Sequence, residues 1–367
     1  MLSKNKAIAK FREFVKGISP KDTAAVLHHT DADGMCSGVI AAKALERITG
    51  RRVGLCMTQN YGEFIVTRDT IKKLRRAGIN KVVITDLSVD ETPKHIREIE
   101  EFAEILIIDH HKIYEDLNSR KTAFIKAQFI SKEIDPGNYP ASKLCYDLFS
   151  LFADLGDIDW IAACGILGDY SYKEWKNFVD AVNKKYKLRA GKNAYDSDLG
   201  AIGNYINAIE SVNVKNLGKV FGILCGAKNP KEVLQDKWMK KQNEIIEKEV
   251  KRWYDAAAQK SEVYPKQNLV FYITKPKFNV KSILINRLSR EKYPDKTLIV
   301  ALDSGNESMH FSARNQSGKV AVNDLLEESI KGFRGASAGG HKKAAAGRVM
   351  RADFAKWKRK LLETKPI

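Results

Sequence analysis

Residues 103–112 read AEILIIDHHK, an apolar run that stops at one aspartate, two histidines and a lysine. Two earlier runs end in the same way: AAVLHH (24–29) continues into TDADG, and KVVITD (81–86) closes on an aspartate. Short apolar runs bounded by polar residues are typical of buried strands. Helical patterns separate these runs, and strands that alternate with helices predict an α/β fold with a mostly parallel sheet covered on both faces.

The rest of the chain divides into further segments. Residues 143–168 are predicted to be helical, with Asp159 as a candidate start. The stretch 237–260 is long and charged, with opposite charges three and four residues apart, which favours a helical connector. Strand patterns return only after it. We therefore predict an α/β domain over 1–190, a helical middle and connector over 191–265, a smaller α+β domain over 266–350 and a basic tail over 351–367.

The composition of the 367-residue chain is that of a globular protein, with 44% apolar and 29% charged residues. No apolar run is long enough to span a membrane, and the N-terminus lacks the apolar core of a secretion signal, so we expect a cytoplasmic protein. The five cysteines form no CxxC pair, which predicts reduced thiols. The net charge of +18 favours a polyanionic partner, although lysine-rich surfaces also serve solubility and ion-pair networks.

Acids and histidines follow the predicted strands. In a parallel sheet all strand ends of one kind lie along one edge, where open α/β sheets bind ligands. An aspartate past a predicted helix could join this edge from the side. The candidates are His29, Asp31, Asp33, Asp86, Asp109, His110, His111 and Asp169.

So many carboxylates in one cleft could not all stay ionised without cations. Oxygen ligands alone suit Mg²⁺ or Ca²⁺, and added imidazole moves the preference toward Mn²⁺, Fe or Zn²⁺. A set of this size can hold two ions about 3.5–4 Å apart, with a shared carboxylate between them. The simpler reading of a single aspartate after a strand is a turn former or a helix N-cap. That reading does not account for two histidine pairs beside aspartates.

Five motifs in order resemble the DHH phosphoesterase family and its C-terminal DHH-associated domain, and we expect a RecJ-like nuclease of archaeal type. They are HTDADGMCSG (29–38), TDLS (85–88), IIDHHK (107–112), GILGDYS (165–171) and GGHKKAAAG (339–347). The first motif begins with a histidine where RecJ-like bacterial proteins commonly carry an aspartate, which could alter the metal preference.

The resemblance implies a role for each site residue. It makes His29, Asp31 and Asp86 ligands of one metal ion. It makes Asp33, Asp86, His110 and Asp169 ligands of the other, so that Asp86 bridges the two. His111 is then expected to face the substrate phosphate, and Asp109 to orient the histidines from behind. The residues implied in substrate binding lie in the C-terminal domain: Ser312, Arg314, Gly339, Gly340, His341 and Lys342.

These expectations favour a RecJ-like exonuclease that hydrolyses single-stranded DNA or RNA, in a role such as DNA repair. Two divalent ions would activate water, with Mn²⁺ favoured over Mg²⁺ or Co²⁺, while His111 and Arg314 stabilise the developing charge. Basic residues at 72–76, 184–189 and in the tail are candidate backbone contacts, and Tyr186 and Trp357 are candidate stacking residues.

Two alternatives stay open at the sequence level. One is a nanoRNase-like hydrolase of short oligonucleotides or cyclic dinucleotides, which would use the same metal site. The other is a non-catalytic scaffold for replication or repair, although a complete ligand set argues against lost catalysis. The middle helices and the tail could dock a helicase or replisome protein. The sequence does not reveal the polarity of digestion, the preference for DNA or RNA, or the oligomeric state.

Overall fold

A computed structural model of the chain describes residues 3–59 and 66–364. The last three residues of the predicted basic tail, 365–367, lie outside the described part. The chain divides into two units, Met1–Lys241 and Gln242–Ile367, which are treated separately below. The predicted fold class is confirmed, because the first unit holds a parallel sheet with helices and the second a mixed sheet.

The N-terminal unit is built on a five-stranded sheet in the order β2-β1-β3-β4-β5, with every pair of neighbours parallel. His28 pairs with Thr85, and Thr85 pairs with Ile108, so the carboxyl ends of the three central strands are level. The residues that follow these strands therefore share one edge. The strands are β1 (Ala24–His28), β2 (Leu55–Thr58), β3 (Lys81–Thr85), β4 (Glu104–Asp109) and β5 (Thr122–Lys126).

Helices pack around this sheet, and the last of those given below, α12, begins in this unit and continues past Lys241 into the second. The predicted helical stretch 143–168 is two helices, of which the second starts at Asp159. No strand lies between residues 172 and 261, all of which the structure describes. The helices are α1 (Lys4–Lys16), α2 (Ala32–Thr49), α3 (Arg68–Arg76), α4 (Pro93–Glu100), α5 (Ala127–Ile130), α6 (Ala141–Phe149), α7 (Asp159–Gly168), α8 (Tyr172–Tyr186), α9 (Asp198–Val212), α10 (Leu217–Gly226), α11 (Pro230–Gln235) and α12 (Lys237–Lys260). Within the described ranges, no helix has the length and apolar character that a membrane span requires.

The C-terminal unit holds a six-stranded mixed sheet in the order β10-β11-β9-β8-β7-β6. Strands β7 and β8 are parallel, and the other neighbours are antiparallel. The strands are β6 (Glu262–Tyr264), β7 (Leu269–Thr274), β8 (Thr297–Leu302), β9 (Ser308–Arg314), β10 (Ser337–His341) and β11 (Ala344–Met350). The helices are α13 (Lys281–Glu291), α14 (Val322–Ile330) and α15 (Phe354–Glu363).

The prediction that Trp357 stacks on nucleic-acid bases is wrong. Trp357 is fully buried, its ring stacks on Phe311 with centroids 4.0 Å apart, and its Nε1 donates to the Ser329 hydroxyl at 3.0 Å. The apolar residues Phe354, Trp357 and Leu361 recur at helical spacing, so the stretch predicted as a tail is an amphipathic helix packed on the sheet.

Because Trp357 fills the core, shortening it should cost stability and not substrate affinity. We expect Trp357→Phe to lower the free energy of unfolding by about 1–3 kcal/mol, through lost packing and the loss of the hydrogen bond that Nε1 donates to the Ser329 hydroxyl. Urea unfolding followed by circular dichroism would measure the loss. Binding of a single-stranded oligonucleotide, measured below the unfolding transition, should stay unchanged, and a tenfold weaker affinity would contradict the core assignment.

Candidate metal centre

The residue after β3 has an unusual backbone conformation. Asp86 lies in the left-handed region with φ of 58°, while its N–H still donates to the Ile108 carbonyl at 3.0 Å. An L-residue held there costs energy, and such strain is concentrated at functional sites. Asp86 is only 2% exposed, and the turn places its carboxylate at the carboxyl edge of the sheet.

The start of α2 fixes two further carboxylates. Asp31 is the N-cap, and its Oδ1 accepts from the Gly34 N–H at 2.9 Å. Asp33 lies in the first turn, and its two oxygens accept from the N–H groups of Ala141 at 2.7 Å and Ser142 at 2.9 Å. Asp33 therefore faces the N-terminus of α6, where the helix dipole favours a negative charge. The capping role and the proposed ligand role of Asp31 are compatible, because the cap uses one of its two oxygens.

His29, Asp31 and Asp86 form the first metal-capable group. Their candidate ligand atoms lie within 4.8 Å of one another. The His29 Nδ1 is 3.2 Å from Asp31 Oδ2 and 3.8 Å from Asp86 Oδ2.

Asp33, His110 and Asp169 form a second group within the same limit of 4.8 Å. The His110 Nε2 is 3.3 Å from Asp86 Oδ1 and 4.0 Å from Asp33 Oδ2, so this histidine lies against the carboxylate that also faces the first group. Its Nδ1 lies 3.2 Å from the Pro136 carbonyl, which fixes the ring. The structure thus brings the six predicted ligands together in two groups with Asp86 beside both.

Asp109 lies behind this edge, among other charged groups. Its Oδ1 is 2.7 Å from the His111 Nδ1, and its Oδ2 accepts from the Lys126 ammonium at 2.5 Å. Lys126 is fully buried and also donates to Asp90 Oδ1 at 3.0 Å. Asp109 also lies with Asp86 and His111 in a group whose candidate ligand atoms are within 4.8 Å of one another, but both of its oxygens are engaged, which favours orienting His111 over binding metal.

The pKa values show that the centre is short of positive charge. Burial raises the pKa of Asp86 well above its usual range, and the charges of Asp33 and Asp31 raise it further. Burial also raises the pKa of Asp169 to about 7, against the opposing charge of His110. The pKa of His29 would fall on burial, but the Asp31 and Asp86 carboxylates raise it to about 10.

This donor set fits divalent metal. Without cations, the raised pKa values mean that Asp86 and Asp169 hold protons more tightly and that His29 gains one. Carboxylate oxygens mixed with imidazole nitrogens are ligands for Mn²⁺, Fe or Zn²⁺ in addition to Mg²⁺. The acidic and histidine groups of the site could therefore bind metal.

Sequence reasoning missed two supports on α9. The Thr30 hydroxyl donates to Glu210 Oε1 at 2.5 Å, and the Ala32 N–H donates to Asn207 Oδ1 at 3.0 Å. Burial raises the pKa of Glu210 to about 7, and the nearby Asp31 charge adds to this rise. Asn207 and Glu210 are three residues apart on a helix. This spacing alone does not predict their contacts, which arise because α9 packs on the loop after β1.

Gly34 allows α2 to approach His29 closely. A Cβ at this position would lie 2.5 Å from the His29 Cβ and 2.7 Å from its carbonyl oxygen. We expect Gly34→Ala to displace His29 and weaken metal binding about tenfold, since changes beside metal ligands have effects of that size. Calorimetric titration with Mn²⁺ would measure it. Gly218→Ala, an exposed position on α10 with open space around it, is the matched control and should keep the wild-type affinity.

The predicted substrate residues belong to the C-terminal unit and share neighbouring strands. In register, Gly339 and Ser312 both face Ala346, while His341 and Arg314 both face Ala344. Gly340 has φ of +135°, and a Cβ there would lie 2.6 Å from the Ala344 carbonyl oxygen. Lys342 is exposed after the end of β10. Ser312 is 1% exposed, and Arg314 Nε donates to Asn286 Oδ1 at 2.7 Å.

The protein thus has two units, and the N-terminal unit carries an acidic sheet edge that could bind metal. The DHH family N-terminal domain matches residues 23–168, and the DHHA1 domain matches residues 267–363. The chain belongs to the DHH family. None of the curated proteins matches it.

Solved structures with the same fold have low sequence identity to this chain. A DHH-domain protein described as a member of a family of ribosomal proteins is 16% identical with a TM-score of 0.71, over 98% of this chain and 89% of that one. RecJ from Thermus thermophilus, solved with Mn²⁺, is 14% identical with a TM-score of 0.68, over 98% of this chain. This chain spans 55% of that RecJ. An exonuclease RecJ bound to manganese is 15% identical with a TM-score of 0.63, over 100% of this chain and 96% of that one.

Proposed function

We propose that this protein is a metal-dependent phosphodiesterase, a RecJ-like exonuclease that hydrolyses single-stranded DNA or RNA. The observation that carries the proposal is the position of Asp86 between two metal-capable groups, each with histidine and carboxylate donors. The manganese-bound RecJ structures with this fold support it. The net charge of +18 agrees with a polyanionic substrate.

In this proposal His29, Asp31 and Asp86 hold one divalent ion, and Asp33, Asp86, His110 and Asp169 hold the other. When bound, the ions would lower the pKa of water and neutralise the phosphoryl oxygens of the substrate. Mn²⁺ is favoured because two of the ligands are imidazoles, with Mg²⁺ or Co²⁺ as substitutes.

The remaining residues orient the histidines or bind the substrate phosphate. Asp109 engages the Nδ1 of His111, so we assign the Nε2 of this ring to the substrate phosphate. Pro136 fixes His110 in the same way through its carbonyl. We propose that Ser312, Arg314, Gly339, Gly340, His341 and Lys342 bind substrate phosphate, with Arg314 stabilising the developing charge.

The test is a cleavage assay on end-labelled DNA and RNA strands, each about 20 nucleotides long, with Mn²⁺, Mg²⁺ or a chelator. We expect stepwise shortening from one end, complete dependence on metal, and little cleavage of duplexes. Products labelled at each end reveal the polarity. A strong rate preference for two-residue substrates would replace the proposal with a nanoRNase-like activity, and intact substrates with every metal would leave a scaffold as the remaining reading. The archaeal RecJ-like type, the cytoplasmic location and a helicase or replisome partner stay predictions.

A further inference from the structure

The C-terminal sheet presents a row of polar side chains on one face, most of them bearing nitrogen. His310, Ser312 and Arg314 alternate along β9, so all three point to the same side of the sheet. Arg348 of β11 pairs directly with His310 in the antiparallel register and shares that side. The distance from His310 to Arg314, four residues along a strand, is about 13 Å, which is longer than a single phosphate group.

Lys281 reaches this face from the first position of α13. Its ammonium donates to Ser312 Oγ at 2.7 Å and to the Phe311 carbonyl at 3.3 Å, and the residue is 9% exposed. Both partners are neutral oxygens. The first turn of α13 contains no acid and has no side-chain cap, so its positive end adds to the charge of Lys281.

Within the described part of the chain, no acid forms an ion pair with this cluster. Among residues 3–59 and 66–364, no carboxylate oxygen lies within 4.0 Å of the charged nitrogens of Lys281, His310 or Arg348. Burial, followed by the charge of Arg314, lowers the pKa of Lys281 to about 7. Burial, followed by Lys281 and Arg348, lowers the pKa of His310. A buried cation without a counter-charge is costly, so an anion at this place would relieve the repulsion.

We propose that Lys281, His310 and Arg348 form a second phosphate-binding site, beside Arg314, which takes an internal phosphate of a single-stranded nucleic acid. None of the three is among the residues predicted to bind substrate. The inference rests on the proposed function for its substrate class. It adds that strands of several nucleotides are held better than dinucleotides, because only a longer strand supplies a phosphate here. Half-buried His310 and exposed Arg348 make the face accessible, with Lys281 beneath them.

The test measures binding of fluorescent 12-residue and 2-residue DNA to the full chain in chelator, where no turnover occurs. The variants are Arg348→Met and Lys281→Met, and the charge-matched control is Lys266→Met, an exposed lysine of the same unit. We expect each test variant to weaken 12-mer binding about fivefold and to reduce the slope of log affinity against log salt by about 0.7–1. Binding of the 2-mer and the Lys266→Met affinities should not change.

Each other outcome overturns the site. Unchanged salt slopes in both variants, equal losses for 12-mer and 2-mer, or a wild-type chain that does not bind the 12-mer would each contradict it. Inorganic phosphate can also be added as a competitor of DNA binding. If the variants bind DNA as the wild type does and lose only their sensitivity to this competitor, the cluster is a small-anion site and the nucleic-acid assignment is wrong. Binding is measured without metal and cleavage is measured separately with metal. A chain that binds as expected but cleaves nothing would therefore contradict the proposed exonuclease and still support this inference.

Discussion

Asp86→Asn is expected to lower metal-dependent hydrolysis at least about 1,000-fold, because the Asp86 carboxylate lies beside both His29 of the first group and His110 of the second. The amide keeps the size of the side chain but removes the charge that two cations would share. The rate on an end-labelled strand with Mn²⁺ measures the effect, and calorimetric titration of Mn²⁺ measures how many ions the variant still binds.

The fold of this variant should survive. Burial beside Asp33 and Asp31 raises the pKa of Asp86, so the folded state gains little from its charge without metal. Mn²⁺ should therefore raise the melting temperature of the wild type and have a much smaller effect on Asp86→Asn. Asp116→Asn, an exposed aspartate of the same unit, is the control and should keep full activity. A variant with more than a tenth of the wild-type rate would mean that the two groups do not share this carboxylate.

The edge of the N-terminal sheet could be predicted from sequence because β1, β3 and β4 are buried runs with obvious ends. Once those strands are parallel and level, the positions of Asp31, Asp86 and His110 follow from chain geometry. The place of Asp169 after a predicted helix makes it a candidate ligand, and its approach to His110 depends on how α7 packs.

Several residues around the site and in the core could not be assigned from the local sequence pattern. The strand Thr122–Lys126 is short and follows an irregular stretch, so the sequence does not predict that Lys126 lies at the edge of the sheet. Glu210 and Asn207 act through the packing of α9, which no periodicity reports. Trp357 shows the opposite failure: a basic composition suggested a solvated tail, whereas the apolar spacing of the same residues predicts the buried face that the structure has.

Lys126→Met carries the largest stability change we expect. Lys126 is fully buried between Asp109 and Asp90, and removing its charge takes the ammonium partner from both buried carboxylates and leaves Asp109 with the His111 ring alone. Breaking a buried pair in this way costs about 3–5 kcal/mol of unfolding free energy. Urea unfolding at pH 7 would measure it, with the exposed Lys132→Met as control, and a loss under about 1 kcal/mol would contradict the charge assignment.

The pH dependence of that loss tests its cause. Burial alone would raise the pKa of Asp109, but Lys126, followed by His111, holds it well below the usual range. A carboxyl with a lowered pKa stabilises the fold above its unfolded pKa of about 3.9, and this contribution disappears as the pH falls through the folded pKa. Despite burial, Asp109 and Asp90 raise the pKa of Lys126, whose contribution is present below about pH 10.4 and disappears above it. The stability gap between wild type and Lys126→Met should therefore be widest between about pH 5 and 9 and shrink in acid. A gap that stays constant down to about pH 3 would show that Lys126 acts by packing its aliphatic stem and not by neutralising Asp109.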